Sequence, residues 1–294
     1  MKLHLILFLS SLAMATGAPD GAKWMSRLGD RRPLGALSIP GSHNAAARFE
    51  PVRGTAKCQK LTIASQLEAG VRVLDIRCRH VADDFRIHHG PVDQKTDFAR
   101  IVATCIGFLD EHPRETIVIM IQQEATPKRN SRSFEATFDE HVAKHRGRWW
   151  LRARIPTLGE ARGKLVLLRR FHARNLPKGI DATAWTDFER ATKETTVRVQ
   201  DRFRVDDNDE KWRLFLDAFR KNRKRPAGTL FLNYASGYRP GALGIPNIRA
   251  VSDDLNPRLR DHLRKHPDSP QGIVMMDFAD AETAALIYQT NRRD

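Results

Sequence analysis

The sequence predicts one α/β domain over residues 19–294, a (β/α)8 barrel of the TIM type, somewhat distorted. Three observations predict it. Eight short runs rich in apolar and β-branched residues recur along the chain, amphipathic helical patterns separate most of them, and an ionisable or hydrogen-bonding residue follows every run. Strands that are apolar through their length and alternate with helices belong to a parallel sheet covered by helices, and eight is the number that closes a barrel. No repeat of fixed period and no Gly/Ser-rich or Pro-rich linker divides the chain.

In chain order, residues 1–18 come first. Lys2 precedes an apolar run from Leu3 to Leu12, followed by Ala13, Ala15, Thr16, Gly17 and Ala18, the layout of a cleaved secretory signal. That run is shorter than the roughly 20 apolar residues that span a bilayer, so a secreted protein without a transmembrane segment is expected. The first strand run, Leu34–Ile39, ends in Pro40-Gly41-Ser42-His43-Asn44. The second, Val71–Ile76, carries Asp75 and ends at Arg77, and the third, Phe85–His88, ends at His89 and Gly90. Thr116–Ile121 leads into Gln122, Gln123 and Glu124, and Lys164–Leu168 into Arg169 and Arg170. Val197–Val199 precedes Asp201, Thr229–Leu232 precedes Asn233 and Tyr234, and Ile273–Met276 precedes Asp277. Helical periodicity is clearest over Phe98–Leu109, Phe134–Val142, Trp212–Phe219, Leu255–Leu263 and Ala279–Tyr288, and the stretch 173–195 reads as a loop with room for a short helix.

A 41% hydrophobic, 29% charged chain of 294 residues is an ordinary globular one. Its net charge of +15 draws it toward polyanions. For a secreted protein the expected partner is an anionic phospholipid surface or a cell-surface glycan. Nucleic acid is not expected, because the densest basic run, Arg220–Arg225, follows a helical pattern and lacks a recognition fold; it reads as a solvated helix C-terminus. Cys58, Cys78 and Cys105 are too widely spaced for the short zinc patterns, and one pair could form a disulfide, which pair being open. A monomer is expected.

At the C-terminal ends of barrel strands, where active sites of this architecture lie, the chain supplies two histidines, carboxylates and arginines. That set suits phosphodiester cleavage. A base must take the nucleophile's proton, an acid must protonate the leaving alkoxide, and cations must surround the phosphate oxygens. Histidine serves as acid or base near neutral pH, and arginine matches phosphate oxygens bidentately. Strand alternation lets only one of His88 and His89 face the site.

The segments LSIPGSHN, QLEAGVRVLDIR, RIHHGP, HPRETIVIMIQQE, GEARGKLVLLRRF, VQDRF and IVMMDF, in this order from about Trp24 onward, resemble successive blocks of the bacterial phosphatidylinositol-specific phospholipase C family. The resemblance implies that His43 is the general base for the inositol 2-hydroxyl, oriented by Asp277, and that His89 is the general acid toward the diacylglycerol oxygen. It implies that Arg77, supported by Asp75, holds the phosphate, that Arg170 and Asp201 contact inositol hydroxyls, and that the first product is a cyclic inositol phosphate.

Three positions depart from the family pattern. Asn44 replaces an Asp that assists the general acid, Gln122 replaces a Lys, and Phe203 replaces a Tyr that stacks on inositol. Arg77 beside Asp75 stands where calcium-dependent relatives hold a metal, so no metal and no other cofactor is expected. Trp149 and Trp150, flanked by Arg146, Arg148, Arg152 and Arg154, are candidate membrane-contacting residues, the alternative being a Trp pair packed into the barrel's outer layer. Two other functions stay open: a barrel phosphodiesterase for another head group, and a catalytically weak secreted protein that binds lipid or glycan.

Overall fold

The computed structural model describes residues 20–184, 189–192, 194–224, 226, 228–241 and 244–291. The expected secretory signal lies outside them, as does Arg225 of the basic run. In chain order the elements are β1 (Ile39–Ser42), α1 (Ile63–Glu68), β2 (Val73–Val81), β3 (Asp84–His89), β4 (Val92–Asp97), α2 (Phe98–Glu111), β5 (Ile117–Gln123), α3 (Phe134–Ala143), β6 (Trp149–Trp150), α4 (Leu158–Ala161), β7 (Leu165–Arg170), β8 (Ile180–Asp181), β9 (Glu189–Ala191), β10 (Thr196–Gln200), α5 (Asn208–Asn222), β11 (Thr229–Tyr234), β12 (Arg239–Pro240), β13 (Pro246–Asn247), α6 (Arg249–Lys265), β14 (Ile273–Met276) and α7 (Ala281–Tyr288).

The main sheet runs β6-β7-β5-β2-β1-β14-β11-β10-β9, parallel except where β9 pairs antiparallel with β10. It curls into a distorted barrel. On the edge of β7 away from β5, β6 pairs with the first half of the strand and β8 with the second. No ladder joins that edge to β9 or β10 among the described residues. Thr195 Oγ1 donates to the Ala153 carbonyl at 3.0 Å and links the segments flanking the opening.

Strand alternation separates two hydrophobic clusters. On β5, Ile117, Ile119 and Ile121 join the cluster under the helices, with Ile101, Cys105, Leu259 and Ile287, while Val118 and Met120 turn inward with Val73, Val166, Leu168, Leu232 and Met275. Gly41 belongs among the inward positions of β1 because a Cβ there would come within 2.3 Å of Met275 Sδ. The N-terminal segment closes the floor. Trp24, Met25, Leu28, Leu34 and Leu37 join the inner cluster, and Trp24 stacks on Tyr288 at 5.3 Å while its Nε1 donates to the Gly70 carbonyl.

Several expectations are corrected. Leu34–Ala36 is a turn of 3-10 helix, and the first strand is Ile39–Ser42, so the IPGS segment is itself the strand. Phe85–His88 is not a barrel strand: β3 pairs antiparallel with β2 and β4 and forms an arm on the extended β2. The composite of β6 and β8 fills the remaining place in the sheet. The stretch 173–195 contributes two short strands, and its residues 185–188 and 193 lie outside the described set. Helix α6 begins well before Leu255 and accommodates Pro257. Trp149 and Trp150 are 8% and 6% exposed. Trp149 packs edge-on against Phe138, and Arg152 and Arg154 lie over the Trp150 ring, so this pair belongs to the core and not to a membrane-facing surface. All three cysteines are buried free thiols, and the disulfide left open by the sequence does not form. The basic run caps the end of α5, with Arg220 and Lys221 in its last turn, as the helix dipole favours.

Candidate active site

The alternation that buries Val73, Val118 and Val166 inside the barrel places later residues of the same strands at its open end. Asp75 and Arg77 follow on β2, Gln122 on β5 and Arg170 on β7, each an even number of residues from an inward one. His43 and Asp277 lie one residue past adjacent paired strands, β1 and β14. After each of His43, His89 and Asp277 the chain turns through a left-handed residue: Asn44 (φ 44°), Gly90 (φ 53°) and Phe278 (φ 51°). Asn and Gly take that conformation readily. Phe does not, and the strain at Phe278 is held by its N–H donating to the Cys58 carbonyl at 2.7 Å and by Arg249 over its ring.

His43 has a determined proton arrangement. Its Nε2 lies 3.1 Å from Arg77 Nη2, which can only donate, so Nε2 is an acceptor and Nδ1 carries the proton. Nδ1–H donates to Asp277 Oδ1 at 2.8 Å. Asp277 is 1% exposed, and the Gly237 N–H donates to its Oδ2 at 3.4 Å. Asn44 Nδ2 also reaches His43 Nε2, at 3.1 Å. The side chain expected to bear on His89 thus bonds the other histidine. Gln59 Nε2 donates to the carbonyls of both His43 and Met276 and fixes the spacing of β1 and β14.

Arg77 sits between carboxylates. Asp75 Oδ2 is 3.5 Å from its Nε and Nη2, and Glu124 Oε2 is 3.7 Å from its Nη1. Burial disfavours the Arg77 charge, but the two carboxylates outweigh it and hold its pKa above the ordinary value. Burial likewise pushes Asp75 up, yet Arg77, His43 and Arg170 prevail and keep it ionised below the usual carboxylate range. The Asn44 N–H donates to Asp75 Oδ2 at 3.1 Å.

His89 approaches from the β3 arm. Its Nδ1–H donates to the Ala56 carbonyl at 2.7 Å, leaving Nε2 toward the cavity. Burial lowers its pKa, the Ala56 bond opposes this, and the Arg77 charge adds to the lowering. Glu124 ties this arm to the barrel, because its Oε1 accepts from the Gly90 N–H at 2.8 Å while its other oxygen faces Arg77. His88, on the opposite face of β3, is buried.

These groups open onto a cavity of 440 Å³ lined by His43, Thr55, Arg77, His89, Gln122, Arg170, Asp201, Phe203, Gly237, Tyr238, Pro246 and Ile248. All the expected site residues meet here except Asn44, Asp75 and Asp277, which stand behind the lining. Gln122 Oε1 is buried without a partner, an acceptor left for a ligand. Phe203 is 58% exposed and lies tilted by 33° against Tyr238, with ring centroids 6.3 Å apart. Lys211 Nζ donates to Gln200 Oε1 and the Arg202 carbonyl, fastening the segment that bears Asp201 and Phe203. A larger cavity, 520 Å³, lies on the outer flank between β10 and α5. It holds none of the histidines, so the chemistry marks the smaller one.

Sequence reasoning did not assign Glu124, Ala56, Cys58, Gln59 or Tyr238 to the site. Glu124 was visible at the end of the β5 run; the others sit in loops whose approach depends on long-range folding. One donor atom from each of His43, Cys58 and Asp277 lies within 4.8 Å of the others, the one group of metal-ligating side chains among the described residues.

A curled α/β barrel with two histidines and an ion-paired arginine lining a cavity at its open end defines a class: a phosphodiester-processing barrel. Within that class, residues 31–171 match the family model "Phosphatidylinositol-specific phospholipase C, X domain", so this segment carries the X domain of that family. Similarity extends beyond that segment. The chain is 27% identical over 284 residues to a 1-phosphatidylinositol phosphodiesterase of Listeria monocytogenes, covering 92% of this chain and 85% of that protein. A Staphylococcus aureus protein of the same name is 27% identical over 280 residues, covering 87% and 88%. Among solved structures, a mutant of the Staphylococcus aureus phosphatidylinositol-specific phospholipase C superposes with a TM-score of 0.84 at 23% identity, covering 94% of this chain and 98% of that one. This likeness shows the fold.

Proposed function

We propose that this chain is a secreted phosphatidylinositol-specific phospholipase C that cleaves phosphatidylinositol to diacylglycerol and a cyclic inositol phosphate without a metal. The observation that carries the reading is His43, with its proton on Nδ1 toward Asp277 and its Nε2 lone pair beside Arg77. In the mechanism, Nε2 takes the proton of the inositol hydroxyl cis to the phosphate. The oxygen attacks phosphorus, and Asp277 stabilises the resulting imidazolium. The bond from phosphorus to the glycerol oxygen breaks as protonated His89 gives its Nε2 proton to that oxygen. Arg77 stabilises the non-bridging oxygens, and its fixed charge serves where a metal would otherwise stand. Gln122, Arg170 and Asp201 receive inositol hydroxyls, and Phe203 offers a stacking face.

No helix among the described residues is long and apolar enough to cross a membrane. The membrane face we propose is the cavity mouth: the lining residue Phe203 is 58% exposed, and Ile245 and Val52, 51% and 62% exposed, adjoin the lining residues Pro246 and Thr55. Ile245→Ser is expected to slow hydrolysis of vesicles while sparing a soluble short-chain substrate; equal effects on both would count against this face.

The test is product analysis by thin-layer chromatography and mass spectrometry, with phosphatidylinositol, other phospholipids and a glycosylated phosphatidylinositol anchor each offered in excess chelator. Release of diacylglycerol with a cyclic inositol phosphate from the inositol lipids alone is expected. Activity on a different head group, or only after calcium is added, would refute the reading.

A further inference from the structure

We propose that His43, Cys58 and Asp277 form an inhibitory site for zinc and similar soft divalent ions behind the substrate cavity. Cys58 is 0% exposed and its position is fixed on both sides. Its N–H donates to the Ala47 carbonyl at 2.9 Å, and its carbonyl accepts from the Phe278 N–H at 2.7 Å, next to Asp277. Its sulfur lies 3.8 Å from His89 Nδ1. One donor atom from each of the three residues lies within 4.8 Å of the others. Ligand bonds of about 2.0–2.3 Å in a tetrahedral zinc site place donors about 3.3–3.7 Å apart, so the sulfur closes in while His43 Nδ1 and Asp277 Oδ1, 2.8 Å apart, open slightly.

The donor set selects the metal. Imidazole nitrogen, thiolate and carboxylate suit zinc, cadmium and cobalt, whereas calcium and magnesium require oxygen ligands. Thiolate and carboxylate together neutralise the double charge. The proton balance closes: Cys58 releases its thiol proton to solvent, and the imidazole proton moves from Nδ1, now bound to metal, to Nε2. That movement disables the base. Nε2 would then present N–H toward Arg77 Nη2 and Asn44 Nδ2, and it could not accept a substrate proton. Cys78 and Cys105 sit under the helices in the outer cluster and belong to no such group among the described residues. The inhibition rests on the catalytic role proposed for His43; the binding does not.

The experiment uses metal-stripped, full-length mature protein titrated with cobalt and then zinc, in the wild type, Cys58→Ser and Cys78→Ser. One equivalent of cobalt is expected to raise a thiolate-to-metal charge-transfer band in the near ultraviolet, and one equivalent of zinc to abolish it. Cys78→Ser should behave as the wild type. Cys58→Ser should lose the band and weaken zinc binding by more than the roughly 10–100-fold that outer-shell changes cost. Zinc should slow wild-type hydrolysis of a soluble phosphatidylinositol in proportion to occupancy, reversibly with chelator, each protein being compared with its own zinc-free rate. Absence of the band in the wild type, zinc affinity unchanged in Cys58→Ser, or bound zinc that leaves the rate unaltered would overturn the proposal. A chain that cleaved no phosphatidylinositol would refute the proposed function, and the optical titration would still decide the metal site.

Discussion

Arg72 stands just before β2 on the helix side, Arg77 five residues on at the open end of the barrel, and their surroundings differ in kind. Arg72 is fully buried and saturated. Its Nε donates to Glu115 Oε2 at 3.0 Å, Nη1 to the Leu67 and Val71 carbonyls, and Nη2 to the Gly21 and Ala22 carbonyls at 2.6–2.9 Å across the four bonds. Glu115 in turn accepts the N–H groups of Met25 and Ser26. Arg77 is 18% exposed to the cavity, its carboxylate partners stand back at 3.5–3.7 Å, and its Nε is buried without a hydrogen bond. A saturated buried charge holds the floor together. An under-satisfied one keeps donors for the phosphate that the proposed function brings to it. The difference separates a folding role from the catalytic one proposed for Arg77 more clearly than residue type does.

The largest expected effect breaks the saturated end. Arg72→Met leaves Glu115 buried and unpaired, and about 3–5 kcal/mol of stability should be lost. Replacing both, Arg72→Met with Glu115→Leu, should recover part of that loss in chemical denaturation. At the other end, Arg77→Ala should lower kcat by about 10²–10³, or roughly 2.7–4 kcal/mol of transition-state stabilisation, with a Tm near the wild type. If Arg77→Ala unfolded the protein as Arg72→Met does, the contrast would fail.

A third variant extends the comparison away from the barrel axis. Glu135 is saturated like Glu115. It accepts from Lys178 Nζ at 2.6 Å and from the Arg174 and Asn175 N–H groups, which outweigh its burial and hold its pKa at about 2. Because the folded value lies below the unfolded one, its stabilisation is full above the ordinary 4.5 and is lost as pH falls toward 2. Glu135→Gln should cost about 1–3 kcal/mol at neutral pH. The gap from wild type should narrow in denaturation curves across that acidic window.

The smallest effect concerns His89, whose pKa burial lowers from the ordinary 6.5. As the proposed acid it must be protonated, so kcat/KM should fall as pH rises through a value below 6.5. Bound phosphate supplies negative charge, so the same limb in kcat should lie at higher pH. A kcat/KM limb above 6.5 would show that His89 is not the acid in the free enzyme.

Much of the site was legible because it depends on local pattern. Apolar runs locate His43, Arg77, Gln122, Arg170 and Asp277; alternation aims Arg77, Gln122 and Arg170 at one cavity, and Asp277 backs His43 from behind its lining. The role of Arg72 was not legible, since its partners lie up to 51 residues away. The misplaced strand has a local cause. Ala82 and Asp83 form the tight turn between β2 and β3 with φ of 52° and 59°, where Asn-Gly would have signalled a hairpin. With that signal missing, an apolar run looks the same in a parallel or an antiparallel sheet. Trp149 and Trp150 left two readings because arginine-flanked tryptophan suits an interface by composition, while the burial of Trp149 comes from long-range packing against Phe138 and Phe98 and that of Trp150 from its place in the inner cluster. Glu124 was missed because its two partners, Gly90 and Arg77, come together only when the β3 arm folds back over the barrel end.

The most direct test of the catalytic assignment is a phosphorus NMR time course on phosphatidylinositol in mixed micelles with excess chelator, run with wild type, Arg77→Ala and Arg72→Met at a temperature where all three are folded. The expected result is a cyclic inositol phosphate signal from wild type and from Arg72→Met at similar rates, and a signal at least roughly 100-fold slower from Arg77→Ala. Comparable rates from Arg77→Ala, or product only after calcium is restored, would contradict it.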